Sequence, residues 1–507
     1  MKKSVYSPKK FLLLMLLFLS QWGMTQSANE FSEKTNKFIT KITDQIPELP
    51  SISIVVVKND QVVFMKSYGY ADIARKIKAQ NNTLYYIASS TKSFMGMAAA
   101  ILHHQGKIDL NTTLADGLPY IKFKPEVKAG EVTLRDLLSH KSGLKNSFFG
   151  FRAAYSGYVD RKEMDWVLEH ETRRKGARGK FEYTNLGYNI YTHLTDKKLG
   201  IPWQDLLNQL LFKPLKMKHT TAYMSLAKKN DWPCAQPYFA LGEYGPKALY
   251  LMKTDKTMQS AGGLITTVED MAHWLAFNMN RGRFNRQQLV PAEVVKNAHT
   301  SRAKLDGKGK PYRYTGYSLG WGNALYKGKK MLQHDGSYPG FKAHITMMPD
   351  EKIGMAILTN DRSIGGTVAY EISQFVYDWW LSKGKETSNV EASIAIIKEK
   401  IAQIKERLNA EKKKQALIKW NLTEPLQRYV GTYFSKQMGK VEVTIVNEQL
   451  KITHGNLHSL TKPALAKNTV KVEMVPQRNW KVRFDVVPGK PAHSMNLDGD
   501  DFVRINK

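Results

Sequence analysis

The sequence predicts an α+β protein in which an antiparallel sheet is covered by helices, followed by a small all-β module. Three observations carry that expectation. Strand-like stretches stand at both ends of the first 385 residues with helical ones between them, the pattern of a sheet with helices packed on it. A charged helix with one apolar stripe comes next. After it, alternation with a period of two runs to the C-terminus.

The elements follow in order. "MKKSVYSPKKFLLLMLLFLSQWGMTQSANE" reads as an export leader over residues 1–28: Lys2, Lys3, Lys9 and Lys10 form a basic start, and Phe11 to Leu19 a short apolar run. Small polar residues from Thr25 to Ala28 suit a cleavage site; the alternative is an N-terminal membrane anchor, for which nine or so apolar residues span a bilayer poorly. "SISIVVV" and "QVVFMKSYGY" read as two strands joined by a turn at Asn59-Asp60, and "TLYYIAS" as a third, strand-like apolar stretch. "FMGMAAAILHHQGKIDL" reads as a helix stopped near Gly106, and "WQDLLNQLLFKPLKM" as one ending near Pro214. "TTVEDMAHWLAFNM" opens with a capping pattern at Thr266–Glu269 or Thr267–Asp270. "KAHITMMP" and "IGMAILTN" bring strands back. In "SIAIIKEKIAQIKERLN", Ile394, Ile397, Ile401, Ile404 and Leu408 form one stripe, expected to dock on the preceding domain. "GKVEVTIVNEQLKITHG" and "WKVRFDVV" then alternate as strands. The expected organisation is a leader (1–28), a main domain (29–385), an amphipathic helical linker (386–419) and a β domain (420–507).

Bulk properties narrow the function. A chain of 507 residues holds more than one core, and 42% hydrophobic content suits globular folding. Cys234 is the sole cysteine, which excludes an internal disulfide and a thiolate-rich metal site. Without the four leader lysines the formal charge of +31 becomes +27. In an exported, periplasmic or secreted protein, that charge favours anionic envelope polymers or lipid headgroups over nucleic acid, but the basic residues are scattered, and a generally solvated cationic surface is the favoured explanation. No segment after the leader is long and apolar enough to be a transmembrane helix, and a homo-oligomer is compatible with the chain.

Ser-x-x-Lys places a hydroxyl and an amine one helical turn apart, and it occurs at Ser7, Ser89, Ser142, Ser225, Ser301, Ser382 and Ser459. Context separates them. Ser7 belongs to the leader, Ser225 and Ser301 sit in polar stretches, and Gly143 disfavours a helix behind Ser142. Ser382 and Ser459 lie outside the centre of the main domain. Ser89 alone stands between two apolar runs, where Lys92 would be partly desolvated and a helix N-terminus would favour an alkoxide.

Two further clusters join it: Tyr183-Thr184-Asn185 in "FEYTNLGYNIY", and His334-Asp335-Gly336-Ser337 in "LQHDGSYPGF". Ser89-x-x-Lys92, Tyr183-x-Asn185 and His334-x-Gly336, in this order, resemble the three active-site motifs of penicillin-recognising serine hydrolases. That group includes class C β-lactamases, DD-peptidases, D-aminopeptidases and related esterases. "TLRDLLSHKSGL", "PLKM", "SAGGLITTVEDMA" and "YSLGWG" support the likeness, which spans roughly residues 35 to 380. The resemblance implies a β-lactamase/transpeptidase-like antiparallel sheet flanked by helices with a helical subdomain. It also implies a serine hydrolase acting through an acyl-enzyme on an amide, peptide, ester or β-lactam, without metal or organic cofactor. Ser89 would be the nucleophile, Lys92 would help deprotonate it, and Tyr183 would shuttle protons. Asn185 would bind substrate or Lys92, and the N–H groups of Ser89 and Ser337 would form an oxyanion hole. Favouring Tyr183 phenolate would require nearby cations such as Lys92 and His334. Many members have Lys where this chain has His334, so efficient β-lactam hydrolysis is not expected, and a His334-dependent limb in the pH–rate profile is. Residues 426–445 resemble the lipocalin-like barrel domain appended to some members.

Other readings carry less of the chain. "GYSLG" matches a nucleophile elbow at Ser318 but is followed by a Gly-rich sequence and no helix. "HETRR" at His170 has Arg174 where a second zinc ligand would stand. A catalytically silent cell-wall or peptide-binding protein is the non-enzyme alternative, and the three complete motifs count against it.

Overall fold

The computed structural model describes residues 8–308, 311–385 and 388–505, with side chains from residue 27 onward except Lys308. The start of the expected leader, Ser7 included, lies outside the described residues. From Pro8 the chain forms a helix, α1 (Pro8–Gln45), which runs through the expected cleavage region. Its later part buries Phe31, Phe38, Ile39 and Ile42. None of the described helices is long and apolar enough to cross a membrane.

The α+β expectation holds. The strands are β1 (Ser51–Lys58), β2 (Gln61–Asp72), β3 (Ile77–Lys78), β4 (Ala303–Lys308), β5 (Arg313–Tyr317), β6 (Gly322–Tyr326), β7 (Lys329–Tyr338), β8 (Phe341–Met348) and β9 (Ile353–Thr359). They form one antiparallel sheet ordered β4-β5-β6-β7-β8-β9-β1-β2-β3. Asn59 and Asp60 make the β1–β2 turn with φ of 47° and 68°, a conformation those residue types tolerate. β1 is buried on both sides, which explains its unbroken apolar run. Val55 and Val57 face one core with α2 (Thr91–His104) and α4 (Val268–Met279), where Thr267 caps α4 by accepting from Asp270 N–H. Ile54 and Val56 face a second core with α1, α5 (Gly365–Ser382) and α6 (Val390–Ala416). The Ile394–Ile404 stripe of α6 is buried there, docked as its spacing suggests.

Two segments differ from their sequence reading. "TLYYIAS" gives only a two-residue strand, Tyr85–Tyr86, paired with Ile265–Thr266 and not with the main sheet. Leu84 to Ile87 are buried all round, so the run is apolar without being a sheet strand. "WQDLLNQLLF" begins as an α-helix over Trp203–Leu207 and widens into a π-helical turn, Asn208–Phe212.

The C-terminal region is a nearly closed barrel of nine strands: β10 (Gly431–Ser435), β11 (Gly439–Val446), β12 (Gln449–His454), β13 (Leu457–Leu460), β14 (Lys462–Pro463), β15 (Thr469–Val475), β16 (Arg478–Asp485), β17 (Ser494–Leu497) and β18 (Asp500–Ile505). The order is β13-β12-β11-β10-β18-β17-β16-β15-β14, and Glu473 N–H bridges the gap by donating to Ser459 Oγ at 2.9 Å. Val441, Val443, Ile452, Val482 and Phe502 fill the interior. The barrel rests on the first domain through polar contacts: Tyr158 O–H to Lys440 O at 3.2 Å, Arg362 to Gln477 Oε1 at 3.2 Å and Asn456 N–H to Ser156 O at 3.2 Å. At Gly455, with φ of 58°, a Cβ would fall 2.0 Å from Ser156 O, so no larger residue fits this seam.

Candidate active site

Ser89 lies in a one-turn 3₁₀ helix, Ala88–Ser90, that leads directly into α2. The preceding Ala88 has φ of 45°, a strained conformation of the kind found at functional sites. β7 holds this turn from one side. Ser90 Oγ donates to His334 O at 3.0 Å, and a Cβ on Gly336 would stand 1.8 Å from Ile87 O. The glycine of the third motif is therefore a requirement of close packing beneath Ser89.

One helical turn beyond Ser89, Lys92 is fully buried. Its Nζ contacts Asn185 Oδ1 at 2.8 Å, Ala261 O at 2.6 Å and Ser89 Oγ at 3.2 Å. The first two partners only accept, so they use two N–H groups. The third direction, toward Ser89, holds either a proton or a lone pair. Burial pushes the Lys92 pKa well below its ordinary 10.5, which favours the neutral amine and aims its lone pair at the hydroxyl. Such an amine can take the proton of Ser89.

Asn185 starts α3 (Leu186–Leu199), and Tyr183 precedes it by two residues. The Tyr183 ring is 44% exposed, open to the cleft, while Lys92 Nζ lies 5.0 Å from its centroid. Desolvation raises the phenol's pKa, and a hydrogen bond with Ser89 opposes the rise. No pair of cations favours phenolate here, since the two candidates, Lys92 and His334, are both pushed toward neutrality.

His334 is buried on β7. Its Nδ1 lies 2.8 Å from Asp335 O, which can only accept, so Nδ1 carries the hydrogen. Nε2 then accepts from the Tyr317 hydroxyl at 3.0 Å. Burial is the main cause that lowers His334 to about 3. Desolvation outweighs the opposing charge of Asp335, so the pH–rate limb expected from the sequence would fall below the neutral range. Asp335 turns to another network. Burial alone would raise its pKa, but His344 and Lys342 hold it well below the carboxylate range, at 2.7 Å and 2.8 Å. Tyr370 O–H also donates to it, which ties β7 and β8 to α5. Ser337 lines the same cavity as Ser89.

The structure thus brings Ser89, Lys92, Tyr183, Asn185, His334, Gly336 and Ser337 to one cleft. It leaves the decoys elsewhere. Ser318 is buried in a turn, its Oγ donating to Trp321 O at 3.1 Å, and β6 rather than a helix follows. Ser142 Oγ accepts from Leu144 N–H, Ser225 binds Asp255, and Ser301 donates to Ala303 O. Ser382 Oγ donates to Trp379 O. His170 stacks on Trp166, and no three His, Cys, Asp or Glu side chains gather as metal ligands among the described residues.

Several site residues were not singled out from the sequence. His140, buried in "TLRDLLSHKSGL", accepts from Thr184 N–H through Nδ1 at 3.3 Å and lies 4.3 Å from the Tyr183 ring. Tyr317, in "YSLGWG", donates to His334 Nε2 and helps hold the ring in place. Their only signal was the set of supporting matches. Lys253 forms part of the cavity wall, donating to Ala154 O at 2.6 Å and Thr257 O at 3.2 Å, with its Nζ 4.2 Å from the Tyr338 ring centroid. Burial lowers it to about 7. The far wall comes from the barrel: Met438, Arg478, Trp480, Leu497, Asp498 and Asp500 line the cavity that holds Ser89.

A helix-flanked antiparallel sheet with this cleft defines the serine hydrolase fold shared by β-lactamases and penicillin-binding proteins. The model of the family described as Beta-lactamase matches residues 39–371, and the chain belongs to that family. Protein flp of Staphylococcus aureus (strain MW2) is 26% identical over 321 residues, 62% of this chain and 60% of the relative. Unguisins hydrolase ungD of Aspergillus violaceofuscus is 24% identical over 372 residues, 66% of this chain and 64% of the relative. The chain thus spans less than two thirds of these relatives' length. Among solved structures, an octameric penicillin-binding protein homologue from Pyrococcus abyssi superposes with TM-score 0.58 at 21% identity, covering 93% of this chain and 99% of that one. A D-alanine carboxypeptidase AmpC from Burkholderia cenocepacia gives 0.53 at 21% identity, covering 68% and 97%. These likenesses show the fold.

Proposed function

We propose that this protein is an exported serine hydrolase that cleaves small amide, peptide or ester substrates through an acyl-enzyme on Ser89. The observation that carries the reading is the donor accounting at Lys92: two accepting oxygens leave the third valence of a desolvated amine facing the hydroxyl. Ser89 loses its proton to Lys92 as Oγ bonds the substrate carbonyl carbon. The N–H groups of Ser89 and Ser337 stabilise the resulting oxyanion, about 3 kcal/mol per donor in hydrolases of this kind. Collapse breaks the bond to the leaving group, which takes a proton from the Tyr183 phenol, itself replenished from Lys92. Water then attacks the ester, with the same groups moving protons in reverse. His334, neutral and oriented by Tyr317, donates no charge to substrate.

The cavity, about 390 Å³, suits a small molecule or short peptide. Arg478, Asp498 and Asp500 present both charge signs from the barrel, which favours substrates with charged ends. A neutral His334 favours neither a penicillin carboxylate nor rapid β-lactam turnover. The leader-like start supports export to a periplasmic or extracellular compartment, and the octameric homologue makes self-association worth measuring. A hydrolysis panel of p-nitrophenyl esters, D-alanyl peptides, D-amino-acid amides and nitrocefin, with parent and Ser89→Ala proteins, tests the proposal. Hydrolysis lost with Ser89 supports it. Full activity in Ser89→Ala, or loss in Ser318→Ala alone, overturns it, and silence across the panel with fragment binding retained supports a pure binding protein instead.

A further inference from the structure

The junction between α6 and the barrel leaves large apolar side chains in solvent. Leu417 is 83% exposed, Leu465 80% and Trp420 50%. Chain connections hold them together. Gln415 Nε2 donates to Pro463 O at 2.9 Å, and Asn421 Nδ2 donates to Leu465 O at 3.0 Å. Asn468 N–H donates to Asn421 O at 2.8 Å. The segment from Leu417 to Trp420 is thus clasped at both ends against the loop that carries Leu465.

The surrounding charge is predominantly positive. Residues 412–422 and 461–472 contain seven lysines, Lys412, Lys413, Lys414, Lys419, Lys462, Lys467 and Lys471, and no acid. Lys412 pairs with Glu243, Lys462 with Glu473, and Lys471 donates to Gln415. Lys413, Lys414, Lys419 and Lys467 have no ion-pair partner among the described residues. The nearby Glu411 and Glu424 are engaged, by Arg407 and by Gly489 N–H. Exposed Leu and Trp beside unpaired ammonium groups is the chemistry of an interface between hydrocarbon and anionic headgroups, with Trp at the boundary. Anionic polymers would meet the lysines but give the leucines nothing to bury in. A second copy would bring a like-charged patch against this one.

We infer that this patch docks the protein on an anionic lipid surface. The contact uses residues of the α6–barrel junction, none of which lines the cavity that holds Ser89. The test is co-sedimentation of the purified full chain with phosphatidylglycerol/phosphatidylcholine vesicles and with phosphatidylcholine vesicles alone. Two sets of variants are compared, Leu417→Ser/Trp420→Ser/Leu465→Ser and Lys413→Glu/Lys414→Glu/Lys419→Glu. All carry the same N-terminus, so any affinity of the leader for lipid cancels. The expected result is salt-sensitive binding to the anionic vesicles that falls on the order of tenfold or more in each set. Ser89-dependent hydrolysis and thermal unfolding should stay as in the parent. Equal binding by parent and both variant sets overturns the inference. So does a reduced oligomer size in the apolar variants by light scattering, which would assign the patch to a second copy. Loss confined to the lysine set, with equal binding of soluble anionic polymer, assigns it to polymer and also overturns the inference.

Discussion

Gly336→Ala should disable the site without touching a reacting group. The new Cβ would stand 1.8 Å from Ile87 O, 2.8 Å from Ile87 C and 3.2 Å from Ser90 Oγ. Ordinary carbon–oxygen contact is about 3.3 Å, so β7 and the Ala88–Ser90 turn must part by roughly 1.5 Å. Lys92 is held by Asn185 and Ala261 rather than by β7, so the displacement opens the 3.2 Å contact between Ser89 and Lys92. A misplacement of about 1 Å at reacting atoms costs on the order of a hundredfold, equivalent to about 2.7 kcal/mol of barrier. Overpacking itself should cost about 1–3 kcal/mol of stability and lower Tm by several degrees. The assay is kcat/KM with the best ester or peptide of the panel, alongside Tm and a fluorophosphonate labelling rate. A variant with kcat/KM within twofold of the parent and unchanged Tm would refute the claim that this contact sets the position of Ser89.

Three other outcomes follow from the structure. Lys253 keeps its proton to about 10.5 when unfolded but only to about 7 when folded. Unfolding therefore takes up a proton between those pH values and stability rises with pH across that window. Lys253→Met should flatten the rise, worth a few kcal/mol at most, when urea midpoints are compared from pH 6 to 10. His334→Lys should place a cation where the parent has a neutral imidazole, raising acylation by penicillin about tenfold relative to neutral esters, and an unchanged ratio would count against that role. Trp480→Ala should raise KM for small substrates about tenfold and admit bulkier acyl groups, with Trp480→Phe intermediate; equal KM values would remove the barrel from the substrate pocket.

Sequence patterns revealed those parts of the molecule that depend on local periodicity or on motif spacing. The β1–β2 hairpin was readable because Asn-Asp tolerates positive φ between two apolar runs. The α6 stripe was readable because its isoleucines keep helical spacing. "TLYYIAS" misled because full burial erases the alternation that distinguishes a sheet strand from a buried connector. The seven motif residues were found through their order along the chain. His140, Tyr317 and Lys253 were not, because each acts through a contact made only in three dimensions: an imidazole beneath Thr184 N–H, a hydroxyl on Nε2, an ammonium among tyrosine rings. The His334 environment was likewise invisible, since its pKa depends on burial more than on neighbours in sequence.

The seam at Gly455 and the wall at Trp480 have an implication for how such a molecule diversifies. Ser89 and Lys92, the residues proposed to begin the chemistry, and the cavity wall from Arg478 to Asp500 are encoded roughly 400 residues apart. On the proposed function, drift in the barrel wall would change which molecules enter the cavity while Ser89 and Lys92 stay untouched, so a new specificity would not have to pass through an inactive ancestor.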